Sequence, residues 1–187
     1  MKAFKHFKTI TYHKWLVCKG CFAVGLYKQG ILHDMSKYAP TEFWVGARYY
    51  QGDRSPNNAE REAIGYSSAW LHHKGRNKHH YEYWIDYSIK GGPGGMAPAP
   101  MPRKYIAEMI MDRIAACKVY QKDAYTDEGP LIYYLAGKDP APMHPFTKDS
   151  LEMLLTMLAQ KGEKETFWYI KNVFLKSRFT EDKNIIE

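Results

Sequence analysis

Apolar side chains recur every three to four residues along most of this chain, while runs alternating at a period of two are weak throughout. Such a chain buries one stripe per helix rather than one face per strand, so the expected fold class is all-α. The 187 residues match one domain at about 100–200 residues each. They also suffice for a core that needs no disulfide staples. A single helical bundle over 1–187 is expected, with a C-terminal helical extension over about 148–178.

The first long helix is expected over about 5–28, with Phe7, Ile10, Trp15, Cys18, Phe22 and Leu26 as its apolar stripe. Gly30 then permits a turn. A short helix holding Ile31-Leu32-His33-Asp34-Met35 ends near Lys37, because Pro40 disfavours helix at Ala39. Thr41 is placed to cap the next helix. Residues 51–58 read as a loop, and 59–73 as a helix interrupted at Gly75-Arg76-Asn77 and resumed over about 79–89. The stretch 91–102, rich in Gly and Pro, reads as a loop within the domain. Pro102 opens the helix 103–121. Residues of about 124–147 read as irregular, and two further helices are split by Gly162. The tail from Arg178 is expected to fray. No internal repeat is found.

The net charge is +7, and residues 1–40 carry almost all of it: seven Lys stand against Asp34 alone. A basic end favours anionic partners such as phosphates, nucleic acid or acidic membranes; the plainer reading is a solvated lysine face. Three cysteines, Cys18, Cys21 and Cys117, are too few and too odd for a disulfide framework and suit a reducing, cytoplasmic setting. Cys18 and Cys21 have zinc-like spacing but no second pair to complete four ligands, so they read as buried helix cysteines. No apolar run reaches the ~18 residues of a membrane span. The basic-then-apolar start imitates a signal peptide, but Lys14 and Lys19 interrupt it and no small-residue cleavage site follows.

Four of the eight histidines, His72, His73, His79 and His80, fall within nine residues. His33-Asp34 pairs an imidazole with a carboxylate, a donor set that suits Mn, Fe, Co, Ni or Zn. If the first two helices pack antiparallel, His13 comes level with His33. Asp112 faces Met109, Ala115 and Ala116 at helical spacing, where a carboxylate without a partner is costly to bury. The ordinary alternatives are a helix-end pair at 33–34, a surface pair of Asp112 with Arg113, and histidines that cap or pack. Glu82 and Asp86 are candidates to orient the imidazoles as acceptors. Trp70, Tyr81, Tyr83, Trp84 and Tyr87 flank the cluster, where they serve as core or as a stacking platform for a base. His6 and His144 stand alone.

The ordered set of His13, His33-Asp34, the histidine pairs and Asp112 resembles the HD superfamily of metal-dependent phosphohydrolases over about residues 9–120. ILHDMSK is similar to that superfamily's LLHDIGK motif, with Ser36 in place of its glycine, and MDRIAA to its last ligand helix. HDMSKYAPTEFW and AWLHHKGRNKHHYEYW are also similar to strings shared by an uncharacterised bacterial and phage family of unknown function. The superfamily resemblance implies that His13, His33, Asp34 and Asp112 hold one divalent ion. It implies that Asp34 bridges to a second ion held by members of the 72–80 set, taking His72, His73, His79 and His80 as candidates. Asp34 and Lys37 would then act on the substrate, with Lys37, Arg76 and Lys78 as point charges toward phosphate.

The function expected is a phosphohydrolase acting on a nucleotide or other small phosphate ester with one or two divalent ions, among which Mn, Fe, Co, Ni, Zn and Mg are not distinguished. Two alternatives stand beside it. One is an HD-type di-iron oxygenase. The other is a non-enzymatic nucleic-acid-binding module using the N-terminal lysines with Phe4, Phe7, Tyr12 and Trp15. No membrane partner is expected.

Overall fold

Helix α1 (Lys2–Ala23) buries His6, Ile10, His13, Val17 and Cys21, a stripe at three- and four-residue spacing. The computed structural model describes residues 2–89, 93–137 and 142–177. Periodicity placed a helix here, but the helix starts and ends earlier than the expected 5–28 and its buried face is not the expected one. Phe7, Trp15 and Phe22 face solvent together with Phe4 and Tyr12. These rings pack on other rings or under lysines: Tyr12 stacks on Trp15, Phe7 and Phe22 meet the rings of Tyr38 and Tyr27, Lys8 Nζ lies 4.6 Å from the Phe4 ring, and Lys19 Nζ lies 4.6 Å from that of Trp15. The inward positions go to two imidazoles because partners wait there: carboxylates for His13, and the rings of Phe43 and Tyr50 for His6.

The turn after α1 falls at Gly25, whose φ of +86° is open to glycine, rather than at Gly30. Gly30 lies inside α2 (Tyr27–Leu32), where a Cβ would sit 3.0 Å from Cys21 Cβ. Its role is the close antiparallel approach of α2 to α1. Lys14 of α1 donates to the carbonyls of Ile31 (2.6 Å) and His33 (2.8 Å), satisfying acceptors that the end of α2 leaves open. Thus His33 and Asp34 do not lie within a helix as expected. They form the exit of α2, ahead of a short 3-10 turn over Met35–Tyr38.

Pro40 opens α3 (Pro40–Tyr49), and Ala39 rather than Thr41 takes the cap position. The expected helix over 59–73 is two helices, α4 (Pro56–Ile64) and α5 (Ser68–Lys74), parted by Gly65 at φ +83°. The expected helix over 79–89 is absent. A 3-10 turn (Tyr81–Trp84) leads into strand β1 (Ile85–Tyr87), which pairs antiparallel with β2 (Met96–Pro98), Asp86 opposite Ala97. Ile85, Tyr87 and Ile89 alternate at the period of a strand, and the pairing partner lies in the stretch read as loop. Residues 90–92 of that stretch lie outside the described residues, as does the tail from Arg178.

The spine of the fold is α6 (Arg103–Gln121), which buries Ile106, Ala107, Met109, Ile110, Met111, Ile114 and Ala115. It packs between α1 and the last long helix, α8 (Pro145–Tyr169), which contributes Leu151, Leu154, Leu155 and Leu158. Each such leucine contributes about 1.5–3 kcal/mol by leaving water. Gly162 breaks α8 at φ +77°, as its position suggested, and Ile170 and Phe174 beyond it return to the core. Helix α7 (Gly129–Ala136) lies in the stretch read as irregular. His144 is no isolated group: its Nδ1 accepts from the Phe146 N–H at the start of α8. The described residues therefore form the all-α architecture expected, with the two-strand ribbon as its one β element among them.

Candidate metal centre

Four elements meet at Asp34. His13 comes from α1, His33 and Asp34 from the exit of α2, and Asp112 from α6. His73 comes from α5, and His79 and His80 from the segment that follows it. Asp34 adopts φ 53°, ψ 27°, a left-handed conformation that Asp tolerates better than most residues. Continuing the helix would point adjacent side chains about 100° apart. The left-handed residue instead turns the carboxylate back beside the His33 ring, and both are 2% exposed.

The two oxygens of Asp34 face different groups. On the Oδ2 side, His33 Nε2 lies at 3.2 Å and His13 Nε2 at 3.8 Å, while Asp112 Oδ1 is 2.9 Å from His13 Nε2 and 3.6 Å from His33 Nε2. On the Oδ1 side, His73 Nε2 lies at 3.2 Å and His79 Nε2 at 3.4 Å, with His80 Nε2 2.9 Å from His73 Nε2. Within each set of four, the candidate ligand atoms lie within 4.8 Å of one another. Asp34 Oδ1, His33 Nε2 and His79 Nε2 are buried without a hydrogen-bond partner, while Asp34 Oδ2 meets the Lys37 ammonium. Unpaired buried polar atoms are rare and costly, and here three of them converge. An imidazole and carboxylate set of this kind fits a borderline divalent cation.

The outward ring nitrogens are held by two buried glutamates. His33 Nδ1 and His79 Nδ1 both lie against Glu108 Oε1, at 3.0 and 3.2 Å. His73 Nδ1 lies 2.8 Å from Glu42 Oε2. Glu42 and Glu108 take the acceptor role expected of Glu82 and Asp86. Asp86 is exposed and accepts from the Tyr87 N–H, because the segment is a strand and carries its side chains away from the imidazoles. The spacing of Glu108, one helical turn before Asp112, was the available signal.

His72 does not join the cluster. Neighbouring helix positions diverge, so His73 points in and His72 turns its Nδ1 to Glu42 Oε1 at 2.5 Å. The i, i+7 pair that does meet is His73 with His80.

The charges interlock. Burial alone would raise Asp34, but His33, Lys37 and His73 outweigh it and hold the carboxyl well below its usual range. Burial alone would lower His33, but Asp34, Asp112 and Glu108 outweigh it and hold the ring well above. His80 is pushed well below the usual histidine value by burial and then by His79 and His73. Lys37 Nζ lies 2.5 Å from Asp34 Oδ2, and its ammonium is held charged by Asp34 and Asp112 against burial.

A cleft of about 450 Å³ opens over this cluster, a size suited to a small molecule. Its wall includes His13, His73, His80 and Asp112, the cation Lys37, and Arg54 and Arg113. Arg76 and Lys78, expected at the substrate, are not part of that wall. Arg76 is exposed and donates to the His72 carbonyl, and Lys78 lies over the rings of Tyr83 and Tyr105. Arg54, 19 residues before His73, and Arg113, one after Asp112, carried no motif that marked them. Of the flanking aromatics, Trp70 stacks on His73 and lines the cleft with Tyr81, Trp84 packs against the core, and Tyr87 is exposed. Cys18 and Cys21 are free thiols on α1, and burial raises that of Cys21.

Fold and site together define an all-α protein built around a buried histidine–aspartate cluster. A model of a family of unknown function, DUF5662, matches residues 2–157, and the chain belongs to that family. No curated protein and no solved structure matches it. Among the described residues, no helix is long and apolar enough to cross a membrane.

Proposed function

We propose that this chain is a metal-dependent phosphohydrolase of the HD type, acting on a nucleotide or another small phosphate ester. The observation that carries the reading is the pair of four-donor sets that share Asp34, one oxygen to each, whose His13, Asp112, His73 and His80 line a cleft that also presents Lys37. His13, His33, Asp34 and Asp112 would hold one divalent ion, and Asp34, His73, His79 and His80 a second. Such a pair supplies Lewis acidity toward phosphoryl oxygens and water acidified to react near neutral pH. The chain's own share is geometric and electrostatic. Glu42 and Glu108 fix the rings so that Nε2 faces inward. Lys37 sets a positive charge beside Asp34, and Arg113 adds another at the cleft wall, where a phosphate gains most from charge already in place, whereas Arg54 is paired with both oxygens of Glu62. The likeness of ILHDMSK and MDRIAA to HD motifs supports the same reading.

The test pairs metal analysis of the purified protein with hydrolysis of a phosphomonoester and a phosphodiester under several divalent ions. The expected result is stoichiometric metal and metal-dependent hydrolysis. Both are lost in Asp34→Ala and in Asp34→Asn, the latter tolerating the left-handed backbone. Protein that takes up no divalent ion and hydrolyses neither ester overturns the reading. A second reading, an HD-type di-iron oxygenase, is favoured by the excess of imidazoles over carboxylates in the two donor sets. Oxygen uptake by the iron(II)-loaded protein, without ester hydrolysis, selects it.

A further inference from the structure

We infer that Glu108 is a positioning residue that couples the two donor sets, so that two ions bind as a pair rather than one after the other. The inference rests on the metal-centre reading above and concerns a residue that touches neither ion.

Glu108 lies on α6 one turn before Asp112, on the same helix face, and is 5% exposed. A single oxygen of it, Oε1, lies 3.0 Å from His33 Nδ1 and 3.2 Å from His79 Nδ1. His33 belongs to one donor set and His79 to the other. A carboxylate only accepts, so both rings donate from Nδ1. In the neutral rings that a metal ion requires, both therefore turn a lone pair on Nε2 toward Asp34, His33 toward Oδ2 and His79 toward Oδ1. The two rings lie 4.4 Å apart between centroids, so neither rotates without disturbing the oxygen that holds the other. Filling one set locks the ring that belongs to its neighbour.

Glu42 provides the internal contrast. Its two oxygens hold His72 and His73, and of these only His73 is a donor, so Glu42 serves one set. There is also a rival arrangement, because Glu108, His33 and His79 themselves form a third group of converging donors. An ion there would need the opposite tautomers, with Nδ1 unprotonated and Nε2–H facing Asp34.

The test is a titration of the metal-free protein with Mn²⁺, followed by calorimetry for stoichiometry and by electron paramagnetic resonance for pairing. The wild type is expected to bind two ions in one transition, with the spin-coupled spectrum present even when metal is limiting. Glu108→Met keeps the side-chain volume without an acceptor, and Glu108→Gln keeps a weaker acceptor should the first variant fold poorly. Both are expected to weaken both ions together, by about 10–100-fold. Glu42→Gln is expected to weaken the ion of the His73 set more than the other, so that limiting metal gives the spectrum of an isolated ion. A Glu108 variant that loses a single ion, or keeps both at wild-type affinity, overturns the proposal while leaving the metal centre intact. Two independent wild-type steps, or a third ion lost with Glu108, overturn it as well. A wild type that binds no Mn²⁺ or Co²⁺ instead removes the metal-centre reading on which it stands.

Discussion

Asp34 holds a left-handed backbone that costs a non-glycine residue roughly 1–2 kcal/mol, and its carboxylate is buried beside Lys37. The strain is repaid only if the carboxylate has work at that spot, and its two oxygens facing two donor sets supply it. Lys37 competes with a cation for Oδ2 and also faces the cleft. Lys37→Met is therefore expected to keep or tighten metal binding while kcat/KM for a phosphate ester falls about 100-fold, the loss seen when one charge-stabilising donor is removed. Metal analysis beside steady-state kinetics separates these effects. Full activity in the variant would mean that Lys37 does not meet the substrate.

Short elements place the histidines, and Glu60 shows how one of them is anchored. Ser67 Oγ and Ser68 Oγ donate to its two oxygens at 2.6 Å each, and the Ser68 N–H donates at 3.1 Å. Ser67 Oγ in turn accepts from the Trp70 N–H, so the start of α5 is tied down one turn before His73. Burial by itself raises the Glu60 carboxyl, yet the hydrogen bonds from Ser67 and Ser68 outweigh it and hold the group below its ordinary 4.5. A depressed folded value means that its stabilisation is complete above the unfolded value and is lost as pH falls through the folded one. Glu60→Ala is expected to cost about 1.5–3 kcal/mol near neutral pH. That gap narrows as the pH falls below 4.5 and through the depressed folded value, as read by urea unfolding at neutral and acid pH. An unchanged gap in acid would show that the carboxylate's charge is not what holds α5. At the same scale, α1 was legible as a helix while its orientation was not. Periodicity identifies a stripe by hydrophobicity, and here the inward stripe carries His6 and His13 while the aromatic stripe faces out.

At the scale of the molecule, the candidate ligands come from residues 13 to 112 and come together only when α1, α2, α5 and α6 are packed. A cation bound there binds the folded state alone. Metal at a 100-fold excess over its Kd is thus expected to add about 2.7 kcal/mol, or roughly 5–10 °C in Tm for a chain of this size. Chelator should reverse the shift, and Asp34→Asn should show none; a Tm indifferent to divalent ions would argue against a buried site. The same closure explains why removing metal should loosen several helices at once rather than one loop.

The residue order alone determined the all-α class, the long helices α1, α6 and α8 and the break at Gly162, because helical period is a local property of a chain; it also offered eight histidines and aspartates as candidate ligands, of which the structure brings seven together. Tertiary structure decided the rest. It chose His73 over His72, since adjacent helix positions diverge and only packing says which points inward. It replaced Glu82 and Asp86 by Glu42 and Glu108, and it moved Arg54 and Arg113 to the cleft in place of Arg76 and Lys78. Those assignments depend on which surfaces meet across tens of residues, and a carboxylate or guanidinium carries no mark of its distant neighbour until the helices have closed around it.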